Sequence, residues 1–288
     1  MAASAVLPPI SNNVSSVAGP RPRLLTLESS RRLSTGLSLH TFAATKDLSS
    51  SLHPSGHIDL RLYEDSDPAS HSQASADSDR WLTLTPCYVK HGGYGGHHQV
   101  MILARNGRTT QLLGLPRSQG PLAAEIVSSG GGFPIEALEG LQGAVCVASG
   151  SGIASMMALC SRDFYTRGSS LIYTLNGNDF EALEFLLDSK LLKPTDWASV
   201  RVFVTAGDEK QGHIAGKPVS WWQDKLAALQ QRICGHITFT CGRMNRQDMT
   251  GTGTGTPSRI LFCGHKSLEW EVKKWCLNYA PVYTNSIM

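Results

Sequence analysis

Residues 144–155 (AVCVASGSGIAS) have the composition of a turn that binds a phosphate group. A run typical of a buried strand leads into small residues, and a helical pattern begins near Ile153. Glycines let the backbone approach a phosphate, and the N–H groups and dipole of the following helix favour an anion. A tight strand-to-helix turn also needs glycine for conformational reasons alone. Gly150, Ser151, Gly152 and Ile153 are therefore either a site for a dinucleotide pyrophosphate or only a tight turn.

The pattern before this turn predicts an all-β domain. Short runs of alternating polarity, separated by Gly, Pro and Ser, extend from about residue 21 to 136 and are typical of an antiparallel barrel. Residues 64–79 are polar and without periodicity, which favours an exposed loop. We therefore predict a loose tail over residues 1–20 and a barrel over residues 21–138.

The pattern after residue 139 predicts an α/β domain over residues 139–288. Apolar runs that are typical of buried parallel strands alternate with helical patterns. The predicted strands lie at residues 144–149, 171–175, 201–205 and 259–263. The predicted helices lie near residues 153–161, 179–190, 219–232 and 266–279. This alternation indicates a doubly wound parallel sheet.

Several segments, taken in order, resemble the ferredoxin-NADP reductase family of flavoproteins. The turn is similar to that family's Gly-x-Gly-Ile nucleotide turn, and residues 260–264 (ILFCG) resemble its terminal strand with a Cys-Gly pair beside the nicotinamide. Residues 281–288 resemble its short last strand, and residues 130–133 (GGGF) its barrel-closing motif. The resemblance covers about residues 21–288. It implies a six-stranded antiparallel barrel that binds FAD, followed by a doubly wound α/β domain that binds NAD(P)H.

The resemblance also assigns roles to single residues. Residues 80–83 (RWLT) stand where the family has Arg-x-Tyr-Ser/Thr, in which the Arg pairs with flavin phosphates, the ring stacks on the flavin and the hydroxyl bonds to it. Residues 107–110 (GRTT) resemble the motif that holds the flavin pyrophosphate. The implied cofactor-binding residues are Arg80, Leu82, Thr83, Gly107, Thr109, Thr110, Gly150, Ser151, Gly152, Ile153 and Gly264. The implied catalytic residues are Cys263 and Tyr283, where hydride would pass between NAD(P)H and FAD.

Simpler interpretations stay open for these segments. Arg80 could be an exposed charge at a strand edge, residues 130–132 an interdomain linker, and Cys263 an ordinary buried thiol. The family usually has Pro where Ser155 stands and an aromatic residue near the end, where this chain has Ile287 and Met288. Leu82 also stands where the family has Tyr and supplies only an apolar contact. The substitutions at Leu82 and Ser155 leave a second hypothesis, in which the protein acts as a non-redox isomerase or cyclase, or only binds a small molecule.

The choice between NADH and NADPH also stays open. Residues 173–178 (YTLNGN) lack the Arg that would favour a ribose 2′-phosphate, although Arg162 or Arg243 could replace it.

The composition limits which other partners and cofactors are expected. The net charge of +3 is spread along 288 residues, which argues against nucleic acid and for a small ligand. Seven cysteines without a CxxC pair predict reduced thiols and no built-in iron-sulfur centre, so the electron acceptor is expected to be a separate molecule.

Two further patterns bear on metals and on location. His91, His97 and His98 lie in a Gly-rich segment with nothing to fix ligand geometry, so we predict no metal site. Because no apolar run could span a bilayer, we expect a cytoplasmic protein. Residues 1–46, with five basic residues against one acidic, leave a mitochondrial presequence as the alternative.

Overall fold

The structure is a computed structural model in which two sheets lie one after the other along the chain. It describes residues 23–45, 48, 52–53, 55–63, 81–90, 98–114, 122–161, 166–205, 213–233, 236–250 and 256–285. None of the helices in these ranges is long and apolar enough to cross a membrane.

The first sheet is antiparallel and has the strand order β4-β3-β7-β1-β2-β6-β5. Its strands are β1 (Arg23–Arg32), β2 (Leu37–Ala44), β3 (His57–Tyr63), β4 (Trp81–Leu84), β5 (Pro86–Lys90), β6 (His98–Arg105) and β7 (Ala123–Gly130), and helix α1 (Arg108–Gly114) follows β6. Alternate side chains of these strands, such as Phe42, Leu60 and Ile102, point inward and form a core of their own.

Thr85 alone separates β4 at one edge of this sheet from β5 at the other. The chain therefore pairs with β3 before Thr85 and with β6 after it, which wraps the sheet into a barrel-like shape. The prediction of an antiparallel barrel-like domain is confirmed. The six strands expected correspond to seven segments, because residues 81–90 form one interrupted strand that contributes to both edges.

The second sheet is parallel and has the strand order β13-β10-β9-β8-β14-β15. Its strands are β8 (Val145–Ser149), β9 (Ser170–Asn176), β10 (Ser199–Thr205), β13 (Ile237–Cys241), β14 (Ile260–Cys263) and β15 (Val282–Thr284). The other elements of this half are α2 (Ile135–Leu138), α3 (Ile153–Cys160), α4 (Phe180–Asp188), a hairpin of β11 (His213–Ile214) and β12 (Lys217–Pro218), α5 (Val219–Arg232), α6 (Arg246–Thr250) and α7 (Lys266–Cys276). The predicted α/β domain is confirmed. Strand β13 was not predicted, because on this edge strand Thr238 and Thr240 are exposed and interrupt the apolar run.

One hydrophobic cluster continues from the barrel into the α/β domain. On the barrel side it contains Leu39, Leu103 and Phe133, each at most 6% exposed. On the α/β side it contains Ile153 and Leu171, which are fully buried. The two domains are therefore joined by a continuous set of buried apolar side chains.

His40 on β2 is a buried base inside the barrel. Its side chain is fully buried, and Nδ1 lies 2.9 Å from Ser30 Oγ. Nε2 has no hydrogen-bond partner among the residues that the structure describes. Burial lowers the pKa of His40 from 6.5 to about 4. Between pH 6.5 and about 4, this imidazole is therefore mostly neutral in the folded chain and mostly protonated in the unfolded chain.

We expect His40 to make the protein less stable in acid. As pH falls from 6.5 to about 4, the imidazole takes up a proton in the unfolded state but stays largely neutral in the folded state. The free energy of unfolding therefore falls by about 3 kcal/mol. Urea unfolding measures the free energy of unfolding at each of the two pH values. The difference between the two values should be smaller in His40→Leu than in the wild type, by about 3 kcal/mol. Phe42→Leu, a core change on the same strand without a titrating group, should lower stability equally at both pH values. An unchanged pH dependence in His40→Leu would contradict this account.

Candidate functional site

Two cavities lie where the barrel meets the carboxyl ends of the parallel strands. The larger cavity has a volume of about 740 Å³. Its walls are formed by Thr83, Leu84, Thr85, Leu103, Ala104, Arg105 and Thr109 of the barrel and by Ser149, Ser151, Gly152, Cys263, Gly264, His265, Lys266, Glu269 and Asn285 of the α/β domain. Both domains thus contribute to it, and its volume suits a flat ring system together with a second ligand group.

The smaller cavity has a volume of about 310 Å³ and lies over the strand ends of the α/β domain. Its walls are formed by Arg105, Ser149, Gly150, Thr174, Leu175, Asn176, Asp179, Thr205, Arg243, Met244, His265, Ser267, Leu268 and Glu271. Arg105, Ser149 and His265 line both cavities. A single elongated ligand could therefore reach from one cavity into the other past these three residues.

The predicted phosphate-binding turn lies at the junction of the two cavities. Strand β8 ends at Ser149, a single 3-10 turn covers Gly150–Gly152, and α3 begins at Ile153. Gly150 has φ +55° and lines the smaller cavity, whereas Ser151 and Gly152 line the larger one. Ile153 is fully buried below the turn and lines neither cavity.

Gly152 is needed because another strand approaches it closely. A Cβ atom at this position would lie 2.2 Å from the carbonyl oxygen of Cys263 and 2.6 Å from its carbonyl carbon. Glycine is needed at position 264 for the same reason, since a Cβ atom there would lie 2.5 Å from the Cβ atom of Ser149. The ends of β8 and β14 are thus in direct backbone contact, which brings the two sequence motifs together.

Cys263 is part of a buried hydrogen-bonded group on the wall of the larger cavity. Its Sγ lies 3.3 Å from Ser155 Oγ, which accepts a hydrogen bond of 3.0 Å from Asn285 Nδ2. The second Nδ2 hydrogen bond of Asn285 goes to the carbonyl oxygen of Ser55, at 2.6 Å. Burial raises the pKa of Cys263 to about 11, so at neutral pH it is a thiol. Ser155, which replaces the expected proline, fixes this thiol and joins it to the barrel.

Tyr283, the other predicted catalytic residue, lies away from the cavity walls described above. It pairs with Leu261 in the middle of β15 and packs partly against the hydrophobic core. Asn285, two residues nearer the carboxyl end of the chain, lines the larger cavity instead. Two residues along a strand span about 7 Å, so Asn285 reaches the cavity wall whereas Tyr283 does not.

On the barrel side, Thr83 and Thr85 both line the larger cavity, and their hydroxyl groups differ in their hydrogen-bond partners. Leu82 is 6% exposed and packs inside the barrel core, since strand alternation turns it inward. Thr83 does line the larger cavity, but its hydroxyl donates a 2.7 Å hydrogen bond to Asp59. Thr85 also lines the cavity and is 4% exposed, and its Oγ1 is buried without a hydrogen-bond partner among the residues that the structure describes. Of these two hydroxyl groups, that of Thr85 is therefore the one left to donate a hydrogen bond to a ligand group placed against it.

The second barrel motif lies at the turn between β6 and α1. Gly107 has φ +151° and accepts a 2.9 Å backbone hydrogen bond from Gln111. Thr109 lines the larger cavity, and Thr110 donates a 3.0 Å hydrogen bond to Asn106 Oδ1. The three predicted residues thus lie together at this end of the barrel.

Arg105 was missed by the sequence analysis. It ends β6, two residues before Gly107, and its Nη2 lies 3.1 Å from the position that a Cβ atom on Gly150 would occupy. A guanidinium from the barrel therefore lies against the predicted phosphate-binding turn of the α/β domain. The only signal in the sequence is a basic residue at the end of a strand, and it does not distinguish Arg105 from other arginines.

Some predictions fall outside the described residues. These concern Arg80, His91, His97, Arg162, Ile287 and Met288. His98 is described and begins β6. Within the part of the chain that the structure describes, no group of three or more His, Cys, Asp or Glu side chains is arranged to hold a metal ion.

No protein-family model matches the sequence, and no curated protein is similar enough to match it. Solved structures share its fold. The flavohem-like FAD/NAD-binding domain of nitric oxide dioxygenase from Vibrio cholerae is 11% identical with a TM-score of 0.57, over 91% of this chain and 97% of that one. The cytochrome b5 reductase domain of Ulva prolifera nitrate reductase is 12% identical with a TM-score of 0.52, over 91% and 97%. A ferredoxin NADP+ reductase from Neisseria gonorrhoeae, with bound FAD and NADP, is 12% identical with a TM-score of 0.51, over 90% and 92%.

Proposed function

We propose that this chain, which has the two-domain fold of ferredoxin-NADP reductase-type flavoproteins, is an oxidoreductase that uses NAD(P)H and FAD. The observation that carries the proposal is the larger cavity. Barrel residues that include Thr83, Thr85 and Thr109 form one wall, and the glycine turn with the Cys263–Gly264 pair forms the other. Such a cavity holds two cofactors against each other and keeps water away from them.

The residues present fit FAD. Within the described part of the chain, the buried Oγ1 of Thr85 has no hydrogen-bond acceptor, and a flavin ring nitrogen or carbonyl would supply one. Leu84, Leu103 and Ala104 give the ring an apolar wall. At the other end, Thr109 and Thr110, next to Gly107, would hold the pyrophosphate. Bound there, FAD would take hydride from the nicotinamide and deliver electrons to an acceptor.

The two cavities give NAD(P)H a continuous path. The adenosine half would occupy the smaller cavity, and the nicotinamide would enter the larger one beside Cys263 and Gly264. The pyrophosphate would pass over the Gly150–Gly152 turn, where Arg105 supplies positive charge from the barrel. Each domain therefore positions one cofactor, and Arg105 would bind across the interface.

Cys263 acts in this proposal as a positioning group. Because its thiol is buried and protonated at neutral pH, we assign it no role as a nucleophile. Held by Ser155 and, through it, by Asn285, it would form a fixed wall for the nicotinamide ring. The electron acceptor would be a separate molecule that reaches the flavin edge.

The visible spectrum of the purified full-length protein tests this function. We expect flavin absorption bands that bleach when NADH or NADPH is added without oxygen. A colourless protein that binds no added FAD would overturn the proposal and favour the non-redox alternative.

Thr85 gives a sharper test of the flavin site. In Thr85→Val, loss of one buried hydrogen bond should weaken FAD binding by about 10-fold, while the stability of the apoprotein should stay the same or rise. Thr83→Val is the matched control, since the Thr83 hydroxyl is already bonded to Asp59. Flavin fluorescence titration of both variants gives the affinities, and equal effects of the two changes would argue against Thr85.

A further inference from the structure

Tyr173 is a buried side chain that contacts the glycine turn from the neighbouring strand. It lies on β9, where it pairs with Ala148 of β8, and it is fully buried. Its hydroxyl donates a 3.2 Å hydrogen bond to the carbonyl oxygen of Gly150. Burial raises the pKa of Tyr173 above its usual value, so the hydroxyl stays protonated and remains a donor. A side chain of β9 thus holds the first residue of the turn that follows β8.

This hydrogen bond sets the direction of the next backbone N–H group. A trans peptide is planar, so its C=O and N–H groups point in opposite directions. Since the Gly150 carbonyl points toward the buried Tyr173 hydroxyl, the Ser151 N–H of the same peptide points away from it. Gly150 lines the smaller cavity and Ser151 the larger one. The peptide between them therefore presents a hydrogen-bond donor on the side that faces away from Tyr173.

The turn itself fixes this peptide only in part. The Gly150 carbonyl also accepts a hydrogen bond from the Ile153 N–H, which closes the 3-10 turn. Glycine has more backbone freedom than any other residue, and 3-10 hydrogen bonds have poorer geometry than those of an α-helix. Within the described residues, the side chain of Ser149 forms no capping hydrogen bond with the turn. Tyr173 therefore adds a contact from outside the turn that restricts the rotation of this peptide.

We propose that Tyr173 is a positioning residue for the coenzyme, an inference that rests on the function proposed above. By holding the Gly150 carbonyl, it keeps the Ser151 N–H directed at the phosphates of NAD(P)H. If the peptide rotated, its carbonyl oxygen would face the phosphates and repel them, because both carry negative charge. Arg105, which lies against the same glycine, supplies a positive charge, and Tyr173 fixes the orientation of a neutral donor.

Tyr173→Phe tests this role, because it removes the hydroxyl and leaves the buried ring in place. Titration calorimetry of the full-length protein measures binding of NAD+ and NADP+. For whichever nucleotide the wild type binds, we expect the dissociation constant to rise by about 10-fold. The affinity for FAD and the rate of reduction at saturating coenzyme should change little. Tyr279→Phe is the matched control in the same domain, since its hydroxyl lies 3.1 Å from Cys276 Sγ and Tyr279 lines neither cavity.

The possible outcomes separate positioning from a general effect on the fold. An unchanged nucleotide affinity in Tyr173→Phe overturns the role of Tyr173 and leaves the proposed reductase standing. Equal losses of nucleotide and FAD binding, the same loss in Tyr279→Phe, or a thermal melt showing that Tyr173→Phe is unfolded at the titration temperature would indicate a structural role and also overturn it. If the wild type binds neither NAD+ nor NADP+, the proposed function fails and the inference fails with it.

Discussion

Replacing Gly152 with alanine should abolish reduction of the protein by NAD(P)H. The new methyl group would lie 2.2 Å from the Cys263 carbonyl oxygen, and a strand backbone cannot move away as a flexible side chain can. Strands β8 and β14 must then separate at the place where the pyrophosphate and nicotinamide are held. Overpacking of this kind costs about 1–3 kcal/mol, so a lower melting temperature is expected together with a loss of at least about 100-fold in the rate of reduction.

Gly114→Ala is the matched control for this change. Gly114 ends α1, and a Cβ there would meet no atom within 4 Å. Stopped-flow reduction and a thermal melt of both variants separate the two effects. A Gly152→Ala protein that is reduced at the wild-type rate would show that the turn does not bind the coenzyme.

Replacing Arg105 with glutamine should weaken NAD(P)H binding without much change in the rate at saturation. One charge-assisted hydrogen bond to a phosphate is worth about 1.5–3 kcal/mol, which corresponds to a 10- to 100-fold rise in KM. The wild-type KM should also rise with salt, and the variant should lose part of this dependence. Steady-state kinetics at several salt concentrations measure both quantities.

Arg232→Gln controls for the loss of a positive charge. Arg232 forms an exposed ion pair with Asp188 at 3.2 Å on the surface and lines neither cavity, so its removal should leave KM unchanged. An Arg105→Gln enzyme in which kcat falls while KM stays constant would contradict a role in binding and point to the flavin.

The sequence predicted best those features that depend on neighbouring residues. The glycine turn and the Cys263–Gly264 pair are local patterns, and the structure places them in backbone contact. The two domain types followed from the change in periodicity. Strand β13 was missed because an edge strand is only half buried and its pattern resembles that of a loop.

Features that depend on the three-dimensional arrangement could not be read from the sequence. Thr83 lies on β4 and Thr85 directly follows that strand, and only the position of Asp59 shows that the Thr83 hydroxyl already has a partner. Arg105 contacts Gly150 only because the two domains pack against each other, and no local sequence pattern predicts that packing. Similarly, Asn285 lines the cavity in place of Tyr283 because the strand ends where the cavity opens.

The hydrophobic cluster shared by the two domains limits how this protein can be divided or recombined. Cut apart, the barrel would expose Leu39, Leu103 and Phe133 to water, and the α/β half would lose the carbonyl of Ser55 that now binds Asn285. Each buried side chain of this size contributes about 1.5–3 kcal/mol, so neither half keeps a complete core. We therefore expect the two units, although distinct in architecture, to unfold together. Exchange of one half for that of a distant homologue would require compensating changes in the other.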